Sequence, residues 1–552
     1  MRLYLLTLTT VLGLSTFAQK QKLRKEDDLV LSNLRNHIDY LSSPKLEGRR
    51  AGSEGETQAA TYIAQQFGAS GLQPKGTDGF LQPFEIPEGM QVLPGTAFSI
   101  NERAVDTADF FPLSFSANAS VSGSASHGLR ERGEPWFLDI KDLAAEAQQN
   151  PHFDMTEAVR KKAATLAGKG ATAVLVHNSS SYPDGLAFDA RDRSERLTIP
   201  VFYVRSKAAR AFLGDATATY QLTLKSAIGP KSRTGRNVIG YIDNGAARTV
   251  VLGAHYDHLG WGEDGGSLHR DTVRRIHFGA DDNASGTAAL LELARLLPTL
   301  RHKKQNYLFI AFSGEELGLF GSKYFVEHPT VDLAQVGFMI NMDMVGRLSD
   351  STHRLTVGGY GTSPLWGQLY GQTGKKKLVD RGLSFHFDSS GTGPSDHTSF
   401  YRKDIPVLFY FTGIHSDYHR PSDVAERINY DGTLAIIRHI ISVLDRADTG
   451  EKPAFLKTRE AATATSARFA VTLGIMPDYA FPGSGVRIEG VSDGRPAQKA
   501  GLQAGDVITA LGPHRVTSVE AYMQALGQFK KGDSTEVSYT RAGTAATARV
   551  TF

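Results

Sequence analysis

Acidic and histidine side chains stand at five places just after apolar runs or at the start of a helix in the second half of the chain. They are His255 and Asp257, Asp281 and Asp282, Glu315 and Glu316, Asp343, and His415 and His419. Imidazole nitrogens and carboxylate oxygens are ligand types that suit zinc and similar divalent ions. A carboxylate beside such an ion can also move the proton of an attacking water. The set therefore predicts a metal-dependent hydrolase.

The chain contains no cysteine. Disulfides, thiolate zinc sites and a cysteine nucleophile are thereby excluded. Any metal must be held by histidine, aspartate and glutamate. A carboxylate has two oxygens, so an aspartate in such a set can bridge two cations about 3.5 to 4 Å apart.

The elements that must position these residues lie between about 231 and 450, where apolar strands alternate with helices. Strands are predicted at 250–254, 307–312, 338–342 and 406–411, with weaker candidates at 237–242 and 355–357; helices are predicted at 286–297, 319–328 and 430–444. Such alternation is typical of a mainly parallel sheet covered on both faces. Binding sites of these sheets form beyond the carboxyl ends of the strands, where the acids and histidines stand.

These motifs, taken together, resemble the M28 family of zinc aminopeptidases and carboxypeptidases. The matching segments are His255-x-Asp257, Gly279 to Gly286, Gly314 to Gly318 with Gly321-Ser322, Asn341-Met342-Asp343 and Tyr418 to Asp423, and residues 46–53 resemble the family's N-terminal segment. The resemblance implies the zinc exopeptidase fold, a mixed sheet between helices. It also implies two Zn²⁺ ions, with Co²⁺ or Mn²⁺ as substitutes.

The same resemblance assigns roles to individual residues. It implies that Asp281 bridges the two ions, with a cis peptide between Asp281 and Asp282. His255 and Asp343 would complete one site, and Glu316 and His419 the other. Glu315 would be the general base.

Other residues have candidate roles that follow from their positions in the sequence. Asp257, two residues after His255, is placed to orient that imidazole. His258, His397 and His415 are rival ligands: His397 is expected to line the substrate pocket, and His415 is the substitute should His419 not be a ligand. Arg347, just after Asp343, could meet a substrate carboxylate in a carboxypeptidase.

Flanking segments predict further domains. The M28-like domain comprises 23–96 and 231–450, and the insert at 97–230, with mixed helices and short strands, resembles a protease-associated domain. A linker at 451–465 precedes residues 466–552, which resemble a bacterial PDZ domain, a small barrel-like β domain. Its carboxylate-binding loop would be Leu473, Gly474, Ile475 and Met476, with the helix at 518–529 as the opposite wall of a site for C-terminal peptides.

The N-terminus predicts export. Arg2, an apolar run to Phe17 and a polar stretch from Gln19 have the layout of a signal peptide at 1–18, too short to span a bilayer. The formal net charge is +3, from 61 Lys and Arg against 58 Asp and Glu, which argues against nucleic acid as the main partner. We expect a periplasmic or extracellular protein that acts on peptides or proteins.

The sequence therefore favours an exported di-zinc exopeptidase, of which an aminopeptidase is the first choice. Three alternatives stay open. A carboxypeptidase of the same fold would use Arg347, a glutaminyl cyclase would use a single zinc, and an inert relative would serve as a peptide-binding scaffold.

Overall fold

A computed structural model describes residues 25–149, 153–192, 194–269, 271, 273–300, 304–373, 377–458, 471–477, 481, 483–491, 494–517 and 519–552. These residues form two compact units, one built mainly from Pro87–Arg233 and the other from the chain on either side. The predicted signal peptide at 1–18 lies outside the described residues, as does the linker from 459 to 465. Within the described part of the chain, no helix has the length and apolar character needed to cross a membrane.

The chain before the first sheet of the smaller unit contains two helices and two strands: α1 (25–41), α2 (Glu54–Ala69), β1 (Gln73–Pro74) and β2 (Leu81–Val92), of which β2 includes the unit boundary at Pro87. Ser53 begins α2 because its side chain accepts the backbone N–H of Glu56. Ala59, Ile63 and Phe67 follow at helical spacing and are buried. Helices α1 and α2 therefore lie on either side of residues 46–53.

The smaller unit contains two four-stranded sheets. Its elements are β3 (Ala97–Ile100), β4 (Arg103–Ala104), β5 (Phe110–Pro112), β6 (Ser120–Ser126), β7 (Trp136–Asp139), α3 (Lys141–Gln149), α4 (Met155–Gly168), β8 (Val174–His177), β9 (Val201–Val204), α5 (Ser206–Phe212) and β10 (Thr219–Lys225). One sheet has the order β4-β3-β10-β6 and is antiparallel; the other has the order β5-β9-β8-β7, with β7, β8 and β9 parallel. The predicted insert at 97–230 lies within this unit, which begins earlier, at Pro87.

The central sheet of the larger unit has nine strands. The elements that follow the smaller unit are β11 (Ile228–Ile242), β12 (Thr249–His255), α6 (Gly286–Leu296), β13 (Asn306–Phe312), α7 (Phe320–Glu327), β14 (Val336–Met342), β15 (Arg354–Gly358), α8 (Pro364–Tyr370), β16 (Ser384–Phe387), α9 (His397–Tyr401), β17 (Val407–Phe411) and α10 (Tyr430–Ala447). The strand order is β1-β11-β13-β12-β14-β17-β15-β16, with β2 beside β11. Strands β13, β12, β14 and β17 are mutually parallel neighbours, whereas β11 and β15 run antiparallel to them. The predicted mixed α/β sheet is confirmed.

The sheet is buried on both faces. Every residue of β12, β13 and β14 is buried. One apolar cluster joins α2, α6 and α10 to one face of the sheet, and a second cluster on other sheet residues includes Phe325 of α7 and Phe400 of α9. Strands covered on both sides appear as continuous apolar runs, which is why the sequence located them.

The last segment forms a separate six-stranded antiparallel sheet. Its elements are β18 (Ile475–Pro477), β19 (Val486–Val491), α11 (Pro496–Lys499), β20 (Val507–Leu511), β21 (His514–Arg515), α12 (Val519–Leu526), β22 (Ser534–Arg541) and β23 (Thr544–Thr551). The order is β18-β19-β20-β22-β23, with β21 beside β20. Asp506 accepts two hydrogen bonds from Arg541, each 2.7 Å long, and these bonds connect the residue before β20 to the end of β22.

Candidate metal centre

The three central parallel strands end at one edge of the sheet, and each delivers an acid or a histidine there. His255 is the last residue of β12, Glu315 and Glu316 follow β13, and Asp343 follows β14. Because β13, β12 and β14 are neighbours in parallel register, these side chains converge.

A first group of potential ligands surrounds His255. Its Nε2 atom lies 3.3 Å from Asp343 Oδ1 and 3.4 Å from Asp282 Oδ1. His255, Asp282 and Asp343 together satisfy the spacing of a metal-binding group. Glu315 Oε2 is slightly farther from the same nitrogen, at 3.9 Å.

A second group lies on the other side of Asp282. His419 Nε2 is 3.2 Å from Asp282 Oδ2 and 3.2 Å from Glu316 Oε2. His258 Nδ1 contacts the other Glu316 oxygen, Oε1, at 2.6 Å, and His258, Asp282 and Glu316 also satisfy the spacing of a metal-binding group. Asp282 is common to both groups and directs one oxygen toward each.

The orientation of the two histidines fits bound cations. His255 Nδ1 is 3.2 Å from the carbonyl of Asp257, and His419 Nδ1 is 3.0 Å from the carbonyl of Gly266. A nitrogen that faces a carbonyl carries a proton, so each ring, when neutral, directs its Nε2 lone pair at carboxylate oxygens. At separations of 3.2 to 3.4 Å, Nε2 and the carboxylate oxygens need either a proton or a cation between them. The donor set therefore fits two zinc-type ions.

Charge in the two groups is strongly coupled. Burial alone would lower the pKa of His255, but the carboxylates of Asp343 and Glu315 outweigh it and hold that pKa well above its usual range. Burial would raise the pKa of Glu316, but His419 and His258 lower it to about 2. The acids and imidazoles thus stabilise each other's charged forms when no cation is bound, and a bound cation would replace the proton on Nε2 of each ring.

The loop before α6 decides which aspartate faces the groups. Asn283 accepts the backbone N–H of Gly286 at 2.9 Å and that of Met344 at 3.1 Å, and it donates to the carbonyl of Met342 at 3.0 Å. These bonds hold the loop against the end of β14. The side chain of Asp423 accepts the backbone N–H groups of both Asp281 and Asp282 at 3.0 to 3.1 Å.

The structure places Asp282, and not Asp281, between the two groups, which contradicts the position predicted for Asp281. Asp281 Oδ1 accepts the Ser285 hydroxyl at 2.8 Å and the Gly346 N–H at 2.7 Å, and its Oδ2 lies 3.2 Å from His415 Nε2. These partners hold the Asp281 carboxylate away from the two groups. The cis peptide is likewise displaced by one residue, to the bond between Asp282 and Asn283.

Glu315 and Asp257 are connected directly. Asp257 Oδ1 accepts the backbone N–H of Glu315 at 3.1 Å and lies 3.7 Å from His255 Nδ1. Burial raises the pKa of Glu315 well above its usual range, and the neighbouring Asp343 adds to the effect. A carboxyl group with a raised pKa is a stronger base, as the predicted role of Glu315 requires.

Three other predicted residues lie apart from the two groups. His415 contacts Asp281, as described above. His397 is buried and stacks on Phe409 with ring centroids 4.4 Å apart, and burial lowers its pKa to about 3. Arg347 donates to Asp417 Oδ2 from both terminal nitrogens, at 3.2 and 3.3 Å. The pocket role of His397 and the carboxylate role of Arg347 stay predictions.

Arg49 is a positioning residue that the sequence did not single out. Its guanidinium is fully buried and donates to the carbonyls of Leu41, Tyr256 at 2.7 Å, Phe278 at 2.8 Å and Gly279 at 3.0 Å. It thereby joins the end of α1 to the two loops that carry the candidate ligands. The only sequence signal was its place within the family-like segment 46–53.

Tyr418 is a second residue beside the two groups to which the sequence assigned no role of its own, because it appears there only within the motif Tyr418 to Asp423. Its ring stacks on His419 with centroids 3.8 Å apart. Burial, together with the carboxylates of Asp282 and Glu316, raises the pKa of Tyr418. Its hydroxyl therefore stays protonated and can donate a hydrogen bond beside the two groups.

The predicted carboxylate-binding loop of the C-terminal segment leads into β18. Leu473 is buried, its carbonyl accepts the N–H of Ala497, and Gly474 has a φ of 78°. Ile475 and Met476 begin β18, which pairs with β19. The described loop thus stands where a peptide strand could be added beside it.

Comparison with known proteins gives two domain matches. Residues 237–444 match the model of Peptidase family M28, and residues 461–552 match a PDZ domain. Aminopeptidase YwaD of Bacillus subtilis (strain 168) is 26% identical over 399 residues, which is 69% of this chain and 77% of that protein. Leupeptin-inactivating enzyme 1 of Streptomyces exfoliatus is 29% identical over 197 residues, which is 35% of this chain and 39% of that protein.

Among solved structures, BSAP, a zinc aminopeptidase from Bacillus subtilis, aligns with 77% of this chain and 98% of its own, at 22% identity and a TM-score of 0.42. The protease-associated identity of the insert stays a prediction. The resemblance of the motifs to the M28 family and of the C-terminal segment to PDZ domains is confirmed: the chain carries a domain of peptidase family M28, followed by a PDZ domain.

Proposed function

We propose that the chain is an aminopeptidase that holds two zinc ions, one at His255, Asp282 and Asp343 and the other at Asp282, Glu316 and His419. The observation that carries this proposal is the position of Asp282, whose two oxygens face two separate groups of ligands. A shared carboxylate is the arrangement expected for two cations held close together.

When bound, the two ions would polarise the scissile carbonyl and lower the pKa of the attacking water. Glu315 accepts the proton of that water and returns it to the leaving amine. Glu315 Oε2 lies 3.9 Å from His255 Nε2, close to the first group but outside both ligand sets, as this proton transfer requires. Tyr418 donates a hydrogen bond to the oxygen of the carbonyl under attack.

Two observations favour the amino end of the substrate. Curated relatives of the M28 domain include an aminopeptidase that matches over most of its length. The cation proposed for a carboxypeptidase, Arg347, is already paired with Asp417. A carboxypeptidase would have to break that pair in order to bind a substrate carboxylate.

The flanking segments extend the proposal. The N-terminal 18 residues direct export to the periplasm or the medium, and the PDZ domain binds the C-terminal ends of peptides through residues 473–476. The insert controls access of substrates, as the resemblance to protease-associated domains implies. The proposed zinc chemistry at Asp282 does not depend on any of these three assignments.

The test is hydrolysis of aminoacyl chromogenic amides by the purified chain, in parallel with N-blocked peptides that carry a free carboxyl end. We expect cleavage of the free-amine substrates alone, loss of activity with chelator, and recovery with two equivalents of zinc. Activity confined to blocked peptides would establish a carboxypeptidase instead. No hydrolysis by zinc-loaded protein, with cyclisation of N-terminal glutamine and one bound zinc, would establish the cyclase.

A further inference from the structure

His258 is a buried histidine that the proposed chemistry does not use. Its side chain is fully buried, and Nδ1 lies 2.6 Å from Glu316 Oε1 and 3.9 Å from Asp282 Oδ2. The other ring nitrogen, Nε2, is buried and makes no hydrogen bond. Only one nitrogen of this buried imidazole therefore has a hydrogen-bond partner, and that partner is a carboxylate of the candidate metal centre. Buried polar atoms in native proteins usually have partners, so the position of this ring needs a physical reason.

The ring of His258 is held in place by backbone. Gly279 has a φ of 57°, and a Cβ atom there would lie 2.5 Å from His258 Cδ2 and 2.6 Å from its Cγ. The backbone N–H of His258 donates to the carbonyl of Arg49 at 3.2 Å. The ring is therefore fixed by close packing against the loop that leads to Asp282, and Nδ1 can point only toward Glu316.

As a result, the two carboxylate oxygens of Glu316 face different histidines. Oε1 receives His258 Nδ1 at 2.6 Å, whereas Oε2 lies 3.2 Å from His419 Nε2. A short hydrogen bond to a carboxylate is strong and directional. The oxygen that accepts it is withdrawn from other ligands.

We propose that His258 is a positioning residue that donates from Nδ1 to Glu316 Oε1, so that Glu316 offers only Oε2 to the second ion. This inference rests on the proposed metal centre. One oxygen from each carboxylate suits the tetrahedral coordination of zinc, whereas calcium takes six to eight oxygens and commonly uses both oxygens of a carboxylate. His258 therefore favours zinc over larger cations at this half of the centre.

Replacing His258 by Asn or by Gln tests whether the donor at Nδ1 is what matters, because each amide side chain imitates a different ring nitrogen. The amide nitrogen of Asn stands near the position of Nδ1, and that of Gln stands near Nε2. His258→Asn keeps the donor to Glu316, and His258→Gln removes it. The matched control is His277→Gln, because His277 is a buried neighbour, with ring centroids 6.4 Å apart, that contacts Ser267 Oγ and the Arg275 carbonyl.

The experiment measures zinc stoichiometry and affinity by chelator competition on each folded, metal-free variant of the full chain. Wild-type, H258N and H277Q should bind two zinc ions with similar affinities. H258Q should bind one ion normally and the other about ten- to a hundredfold more weakly. Calcium should compete with zinc for the weakened site of H258Q more effectively than in H258N.

Other outcomes would overturn the inference. If H258Q bound both zinc ions with wild-type affinity, His258 would have no role in positioning Glu316. Equal weakening in H258N and H258Q would show that the ring is a direct ligand or a packing element. If H258Q does not fold, His258→Ala makes the same comparison with H258N. A wild-type chain that binds no zinc would overturn the proposed function itself, an outcome distinct from a defect confined to H258Q.

Discussion

Asp257 Oδ1 accepts the backbone N–H of Glu315 at 3.1 Å while lying 3.7 Å from Nδ1 of His255. One buried carboxylate therefore anchors the backbone at the candidate base after β13 and places a negative charge beside the candidate ligand at the end of β12. Because β12 and β13 are neighbouring strands, the side chain of Asp257 lies between the candidate metal ligand His255 and the candidate base Glu315.

Replacing Asp257 should weaken both functions. Asp257→Ala removes the acceptor of the Glu315 N–H and the carboxylate beside His255, so the loop at Glu315 loses its anchor and His255 loses a neighbouring negative charge; we expect zinc affinity to fall about ten- to a hundredfold. Asp257→Asn keeps an acceptor at Oδ1 and should lose less. Chelator competition measures the affinity, and unchanged zinc binding in Asp257→Ala would show that the contact has no positioning role.

Glu315→Gln should separate catalysis from metal binding. The amide keeps the volume of the side chain but cannot accept a proton, so turnover should fall by about two to four orders of magnitude. Both zinc ions should remain, because Glu315 lies outside the two ligand groups. Steady-state kinetics and metal analysis of the same preparation test this expectation. A variant with most of its turnover would exclude Glu315 as the base.

The adjacent aspartates should behave differently when each is changed. Asp282→Ala removes the shared carboxylate, so we expect loss of both ions and of activity. Asp281→Asn keeps contacts to Ser285 and Gly346, and it should bind zinc normally with, at most, reduced stability. The number of zinc ions bound per chain distinguishes the two variants. The reverse result would return the bridging position to Asp281.

Acidification should destabilise the larger unit partly through His439. Burial lowers the pKa of His439 from 6.5 to about 4, while its Nδ1 faces the Val379 carbonyl at 2.7 Å and its Nε2 the Tyr370 hydroxyl at 2.9 Å. Above pH 6.5 the ring is neutral in both states and has no effect. Between pH 6.5 and 4 only the unfolded chain takes up the proton, so stability falls by about 2 kcal/mol at pH 5.

The measurement is the melting temperature of metal-free protein between pH 7.5 and 5. His439→Phe should melt lower at pH 7.5 but depend less on pH than wild type. His386→Phe, at an exposed position on β16, is the control and should keep the wild-type dependence. Parallel curves for all three proteins would contradict the assignment to His439.

Gly474 should be required for peptide capture by the PDZ domain. Its φ is 78°, and a Cβ atom there would lie 2.1 Å from Arg495 Cβ, so Gly474→Ala must displace the loop. We expect this variant to lose affinity for peptides with a free C-terminal carboxylate, measured by fluorescence anisotropy, while hydrolysis of small amides continues. Undiminished peptide binding would place the site elsewhere.

The pattern of the sequence locates the strands of the M28 domain and places the PDZ-like segment after it. Strands buried on both faces are continuous apolar runs, and residues that follow parallel strands must meet at one edge of the sheet. Those two rules locate His255, Glu315, Glu316 and Asp343 from the sequence. His415 and His419 both follow the strand predicted at 406–411, and the resemblance of the motif at Tyr418 to Asp423 favoured His419.

Long-range contacts, which no sequence pattern reveals, determine which of the two neighbouring aspartates faces both ligand groups. Periodicity reports burial along regular elements and gives no orientation in a loop. Here the path is set by Asp423, 142 residues beyond Asp281, and by the bonds of Asn283 to the end of β14. Arg49 and His258 entered the site for the same reason: their partners lie far away in sequence, and long-range hydrogen bonds leave no local pattern.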